Sequence, residues 1–254
     1  MLIYPSILPQ NGQAFNLASN RAYNLQGDLV ISVEYAISGN INTEAGLSFY
    51  LLSDSTSLVG GVSGCDLCYS GYYNDTQKGI STGIIGLGFD STGCFGLSAT
   101  GRDGYDETYI VPNSIAVRGS KTNYYAMSSV GNYYRAVSSY NLIGNSFEAR
   151  YLRFRVGNVA RTLYLDYKLH VDDCYAPVAA IDIGEYIDIS SFYRIGFGFT
   201  TPVSSSNVNS VANFYFKTVH VEGLVTTLSG LVPLLEVWEN IAPMWPDLTE
   251  SWSL

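Results

Sequence analysis

A chain of 254 residues has room for one large all-β domain or two smaller ones, and 47% hydrophobic residues can fill a sizeable core. Only 14% of residues are charged and the net charge is −9, so the surface is largely Ser, Thr, Asn, Tyr and Gly; with no Lys/Arg cluster beyond Arg150, Arg153, Arg155 and Arg161, a basic nucleic-acid-binding face is excluded. No run of about 18 apolar residues is present to span a membrane, and Met1-Leu2-Ile3-Tyr4-Pro5 lacks the basic start and long apolar core of a signal peptide, so the expectation is a chain that begins at Met1 and folds in a cytoplasm.

Residues 1–22 read as an extended arm. Leu29 to Ile37 alternates Leu29, Ile31, Val33, Tyr35 and Ile37 against Val30, Ser32, Glu34 and Ala36, the period of a half-buried strand. Gly46 to Leu52 is a second strand, with a polar exit over Ser53 to Ser57. The Gly- and Tyr-rich stretch 60–83 is a long loop, too long for a mere connector, and so functional or laid against a partner. Ile84–Phe89 and Cys94–Leu97 are apolar runs around Asp90-Ser91-Thr92-Gly93, which suits a β-turn; the expectation is a tight hairpin. Gly83, Gly86, Gly88 and Gly96 mark it as a strand pair pressed under another layer, with Asp90 at its rim.

Residues 99–113 are a polar excursion, Ser114–Arg118 is short and β-like, and 119–146 is rich in Tyr, Ser and Asn. Phe147–Gly157 and Arg161–Val171 alternate as an antiparallel hairpin with one wet face, on which Arg153 and Arg155 can pair with acids across the sheet. Tyr193–Thr200 follows, and Val211–Gly223 is the last clear strand. Leu224–Trp238 suits a short helix or a strand, with Pro233 limiting either. The last 31 residues hold no Lys or Arg and all three tryptophans, Trp238, Trp245 and Trp252. The whole predicts an all-β, antiparallel β-sandwich over 23–223, with an N-terminal arm at 1–22 and a partner-docking tail at 224–254.

Cys65 and Cys68 form a lone C-x-x-C. A structural zinc needs two more ligands, for which only Cys94, Cys174, His170 and His220 are at hand; the competing reading is small, reduced, mostly buried cysteines. Asp172-Asp173 is either a metal-binding pair or a solvated strand end. His170 and His220 lie on strands without a spaced partner, which reads as structural.

Several stretches, in order, resemble the concanavalin A-like lectin/glucanase superfamily, its legume-lectin branch in particular. Gly46-Leu47-Ser48-Phe49-Tyr50-Leu51 resembles that family's "G-L-x-F-F-L" strand, and Gly60-Gly61 falls at its Gly-Gly loop. Ile85-Gly86-Leu87-Gly88-Phe89-Asp90 resembles the strand ending in "V-x-F-D"; Thr162 to Tyr167 and Tyr193 to Phe199 resemble two later strands. The phrasing from Gly88 to Cys94 is similar to lectin-like structural proteins of tailed phages, marine cyanophages especially. The resemblance implies a jelly roll and sugar binding. It also shows departures. The metal-binding Glu two residues before the Asp is here Gly88, the ligand-like positions after Asp90 hold Thr92 and Cys94, and the sugar-binding "A-D-G" is Glu44-Ala45-Gly46. No paired Ca/Mn site is therefore expected, nor any other cofactor. The hydrolase branch's Glu-x-Asp-x-(x)-Glu strand is missing, so neither glycosidase mechanism has its two carboxyls.

Asp90 has two readings, a sugar or cation ligand and a cap of its own turn. Tyrosines in the loops suit sugar stacking or protein contact alike. The candidate carbohydrate residues are Asp90, Gly60, Gly61, Tyr69, Tyr72, Tyr73, Tyr124 and Tyr125; the candidate docking residues are Trp238, Trp245 and Trp252. The expectation is a non-enzymatic virion structural protein (appendage, fibre or capsid-decorating subunit) with no nucleic-acid partner and no membrane insertion. It would be made in the host cytoplasm and carried on the virion surface within an oligomeric assembly, next to other virion proteins and facing host-surface glycan. The alternatives are a cellular lectin or carbohydrate-binding module and, disfavoured, a glucanase.

Overall fold

A computed structural model describes residues 14–38, 46–53, 64–70, 79–90, 93–96, 112, 114–120, 134–135, 149–157, 161–200, 213–227 and 229–239. Among them the regular elements are strands and two short 3-10 turns, Gly64–Asp66 and Cys94–Gly96. The strands are β1 (Ala14–Ala18), β2 (Tyr23–Asn24), β3 (Leu29–Ser38), β4 (Gly46–Ser53), β5 (Gly83–Asp90), β6 (Ser114–Arg118), β7 (Tyr134–Arg135), β8 (Arg150–Gly157), β9 (Thr162–Lys168), β10 (Ala176–Asp182), β11 (Phe192–Thr200), β12 (Asn213–Thr227) and β13 (Gly230–Glu239).

All pairings are antiparallel, in the order β10-β9-β8-β3-β12-β2-β11-β4-β5-β6-β7, with β1 on β11 and β13 on β12. The two-residue β2 is the corner. Asn24 meets both Leu224 of β12 and Phe192 of β11, and the sheet folds there into two layers. Phe49 of β4 stacks on Phe154 of β8 with ring centroids 4.1 Å apart, and Phe89 of β5 meets Phe154 edge-on at 6.0 Å. The layers therefore face each other across one apolar core, the arrangement of a β-sandwich. Alternation places each side chain. In β8, Leu152, Phe154 and Val156 are buried while Tyr151, Arg153 and Arg155 stay half-exposed. In β4 every residue but the last is buried, so both faces of that strand are covered.

Several expectations are corrected. The described part of the run Cys94–Leu97, residues 94–96, is not a strand paired with β5. Residues 94–96 form a 3-10 turn, and the edge of β5 away from β4 is taken by β6, with Phe89 opposite Ile115. The arm at 1–22 includes β1, bonded to β11 from Ala14↔Thr200 to Ala18↔Gly196. The sheet does not close at Gly223. β12 continues to Thr227, and β13 pairs back along it, with Val219 opposite Trp238. Pro233 lies opposite Leu224 in β13, which bonds on one side only among the described residues, the edge setting in which a strand proline is found.

Tyr35 in the core and Tyr50 on the far side of β4 are both fully buried. Burial pushes both phenols well above the ordinary tyrosine value. Folding thus favours the neutral form, and the benefit is complete below the unfolded pKa of about 10 and is lost as pH rises through the folded values. Stability should not respond to these two groups between about pH 7 and 9, then fall above about pH 10 by up to about 1.4 kcal/mol per pH unit for each tyrosine. A titration of tyrosinate absorbance should show both ionising only as the fold is lost; ionisation together with the exposed tyrosines in folded protein would contradict this.

Candidate functional site

The face of β4, β5 and β11 that points away from the core has a floor of small residues, including Gly86, Gly88 and Gly198. Two stretches of chain lie on it. Gly64–Ser70 brings Leu67, Cys68 and Tyr69, and Gly93–Gly96 brings Phe95; Asp66–Ser70 and Gly93–Gly96 are buried and Cys65 is half-buried. A Cβ at Gly86 would fall 2.4 Å from the Tyr69 ring, and one at Gly88 would fall 2.2 Å from the Phe95 ring. The glycines of β5 are therefore seats for two aromatic rings. Tyr50, Leu52, Leu67, Tyr69, Ile80, Phe95 and Ala116 form a second apolar cluster here, separate from the core between the layers.

Polar contacts fix the covering segments. Ser48 Oγ donates to the Leu67 carbonyl at 2.5 Å, Cys68 Sγ to the Phe199 carbonyl at 2.8 Å, and the Tyr69 hydroxyl to the Gly119 carbonyl at 3.0 Å. Phe95 is held at both ends of its own backbone. Its N–H donates to Asp90 Oδ2 at 2.5 Å, and its carbonyl accepts from Arg118 Nε at 2.7 Å. The Arg118 guanidinium also lies 5.3 Å from the Phe95 ring centroid. Asp90 and Arg118 are both buried, so each places a charged group against a backbone dipole of this one residue. A disulfide, Cys65–Cys94, joins the two covering segments to each other. This corrects the reading of reduced cysteines; of the four, only Cys68, buried, and Cys174, exposed, are free thiols.

Asp90 accepts the Phe95 N–H, the kind of bond that the turn-cap reading asks for. The arrangement disagrees with a paired divalent-metal site at this strand end. The carboxylate is engaged by the chain, and two residues earlier Gly88 offers no donor and is closed over by a ring. No group of three or more His, Cys, Asp or Glu suited to a metal occurs among the described residues. Tyr69, expected to offer its face to a sugar, is instead fully buried beside Tyr50, ring centroids 5.7 Å apart. Gly60, Gly61, Tyr72, Tyr73, Tyr124, Tyr125, Trp245 and Trp252 lie outside the described residues. Trp238 lies in β13, its backbone paired within this chain's own sheet. Asp173 caps a turn by accepting the His170 N–H at 3.0 Å, the solvated strand end of the two readings.

The outer face of the other layer carries a second constellation. Arg153 and Arg155 both donate to Asp166, at 2.9 and 2.8 Å on the same oxygen, as their shared face predicts. The Asp166 side chain is only 4% exposed, against 32% and 42% for the arginines, so the carboxylate is the buried hub of the trio. Arg153 also lies 4.2 Å from the Tyr175 ring, and Lys168 lies 4.9 Å from that of Tyr151. The Tyr151 hydroxyl and Thr218 Oγ1 donate to the Glu34 carboxylate. The sequence signalled the arginine pair but not the rings beside it, Tyr151 from the same strand β8 and Tyr175 from the turn just before β10.

No protein-family model matches the sequence, and no curated protein matches it either. Solved structures do. Lectin I-B4 from Griffonia simplicifolia in metal-free form aligns at 13% identity with a TM-score of 0.54, covering 84% of this chain and 81% of that one. The carbohydrate recognition domain of Emp46p in potassium-bound form gives 11% and 0.53, covering 84% and 79%. The exoplasmic/lumenal domain of VIP36 in Ca2+/Man-bound form also gives 11% and 0.53, covering 92% and 83%. The fold is the concanavalin A-like jelly roll of legume-type lectins and L-type lectin domains.

Proposed function

We propose that this chain is a non-enzymatic lectin-fold subunit of a virion surface, an appendage, fibre or decorating protein that meets host-surface glycans with its loops. The observation that carries the reading is the covered face. With Tyr69 and Phe95 seated on β5 and Asp90 bonded to the Phe95 N–H, glycan contact is assigned to the other residues that the sequence singles out, Tyr72, Tyr73, Tyr124, Tyr125, Gly60 and Gly61. A tyrosine there offers an apolar face and a polar tip to a sugar ring. The non-enzymatic reading is supported by how described carboxylates are used. Glu34 is bonded by Tyr151 and Thr218, Asp166 by two arginines and Asp90 by a backbone N–H, none of them poised as one of a flanking pair.

The virion reading is supported by the similarity of the stretch from Gly88 to Cys94 to lectin-like structural proteins of tailed phages; Gly88 is the seat of Phe95 and Cys94 is one end of the disulfide. A disulfide suits a particle surface outside the reducing cytoplasm. It suits a cellular lectin of the secretory lumen equally, and that is the second reading. In either case residues 240–254, with Trp245 and Trp252, are proposed to dock on a neighbouring protein.

The test joins a glycan array to fractionation. Under the first reading the chain co-sediments with purified particles and binds a subset of glycans. Tyr72→Ala and Tyr124→Ala should each weaken that binding roughly tenfold, the loss of one ring contact. Glycan binding by a chain found only in cellular membranes or secretions would establish the cellular lectin instead. Absence of binding across the array, with particle association kept, would leave a scaffold and overturn the glycan part.

A further inference from the structure

We infer that Gly64–Ser70 and Gly93–Gly96 form a plug latched by Cys65–Cys94, and that reduction by a dithiol opens this face while the sandwich stays folded. The plug is separable from the core. Its apolar cluster shares no residue with the one between the layers, and the two lie on opposite faces of β4 and β5. Its rings rest on glycines, so no side chain of β5 interlocks with them.

The latch ties one plug segment to the other and neither to the sheet, closing a loop of 29 residues in sequence separation. Cys65 is half-exposed and within reach of a reductant, whereas Cys94 is 9% exposed. The turn after Cys65 also holds two successive non-glycine residues in the left-handed region, Leu67 at φ 47° and Cys68 at 62°. Such a turn persists only while its surroundings enforce it. The reduction balances simply. A thiolate of the dithiol attacks the cystine and its second thiol completes the exchange. The S–S bond breaks, Cys65 and Cys94 each end as a thiol with one proton, and the reductant leaves as a cyclic disulfide. What opens is a glycine floor shaped for flat rings, with Asp90 and Arg118 beside it, because two rings of the chain fill it now.

Hydrogen exchange on the full chain tests this, with and without dithiothreitol. The plug amides of Tyr69 and Phe95 donate to Asp66 and Asp90, and the Ile80 amide beside the plug donates to Tyr69, so each reports opening. Losing the loop closure should speed their exchange roughly a hundredfold, while amides of β8 and β9 change by less than about threefold. The double variant Cys65→Ala/Cys94→Ala should show the same pattern without reductant. If plug and strand amides accelerate together, or the reduced protein unfolds, the plug belongs to one cooperative unit and the inference is wrong. It is equally wrong if none accelerates, since the latch would then hold nothing.

Discussion

Phe154→Ala is expected to lower the free energy of unfolding by about 3–5 kcal/mol, the cost of removing a buried aromatic ring and leaving a cavity. In a domain of this size that is a fall in Tm of roughly 6–20 °C. Phe154 is fully buried, stacks on Phe49 and takes the edge of Phe89, so one ring of the back layer contacts two strands of the front layer. Facing residues cannot close the gap cheaply, because Phe49 is itself packed against Phe197 with centroids 5.6 Å apart. Denaturant unfolding measures the change. A loss under about 1 kcal/mol would mean that the layers do not meet at this ring.

The second large effect is expected at Gly88→Ala. The new methyl carbon would lie 2.2, 2.5 and 2.6 Å from three atoms of the Phe95 ring. An ordinary surface ring would swing away, but Phe95 is pinned through its N–H to Asp90 and its carbonyl to Arg118. Evicting it exposes a buried ring and strips a partner from each of two buried charged groups. The combined cost is at least about 3 kcal/mol. Gly157→Ala is the control. There the nearest atoms are 3.5 and 3.7 Å away, ordinary contact, and the change should be under about 1 kcal/mol in either direction. Equal stabilities for the two variants would refute the seat.

Much of the fold was legible because alternation and turn chemistry are local. The alternation of β3, β8 and β9 puts Leu29, Ile31, Val33, Tyr35, Leu152, Phe154, Val156, Leu163, Leu165 and Tyr167 in the core, but it misses that Ala36 and Asp166 on the opposite faces are buried too; the ordered resemblance anticipates the jelly roll. The glycines of β5 announced that something presses on the strand. Nothing local says what, because Tyr69 arrives from 17 residues before its seat at Gly86 and Phe95 doubles back from 7 residues after its seat at Gly88. Cys94–Leu97 misled for a related reason. A short apolar run has the same composition whether it pairs in a sheet or folds over one, and here Cys94 is drawn to Cys65 instead of extending a hairpin. At Asp90 the sequence offered two uses, and the backbone bond that serves the cap comes from Phe95, five residues on, which no local pattern announces. The tail shows the converse limit. Pro233 limited helix and strand alike, yet it sits in β13, whose one strand partner among the described residues is β12, so the strand runs through it.

The place of β3 in the sheet has a consequence during synthesis. Its two neighbours are β8 and β12, met at Ile31↔Phe154 and Ile31↔Val221. Both lie far downstream in the chain. On a ribosome adding about 5–20 residues per second, β3 emerges roughly ten to forty seconds before β12. Throughout that interval an apolar strand with alternating Leu29, Ile31, Val33 and Tyr35 has at least one unbonded edge. The nascent chain is thus exposed to mispairing for most of its translation, and chaperone cover over its first half would matter more to yield than the stability of the finished protein.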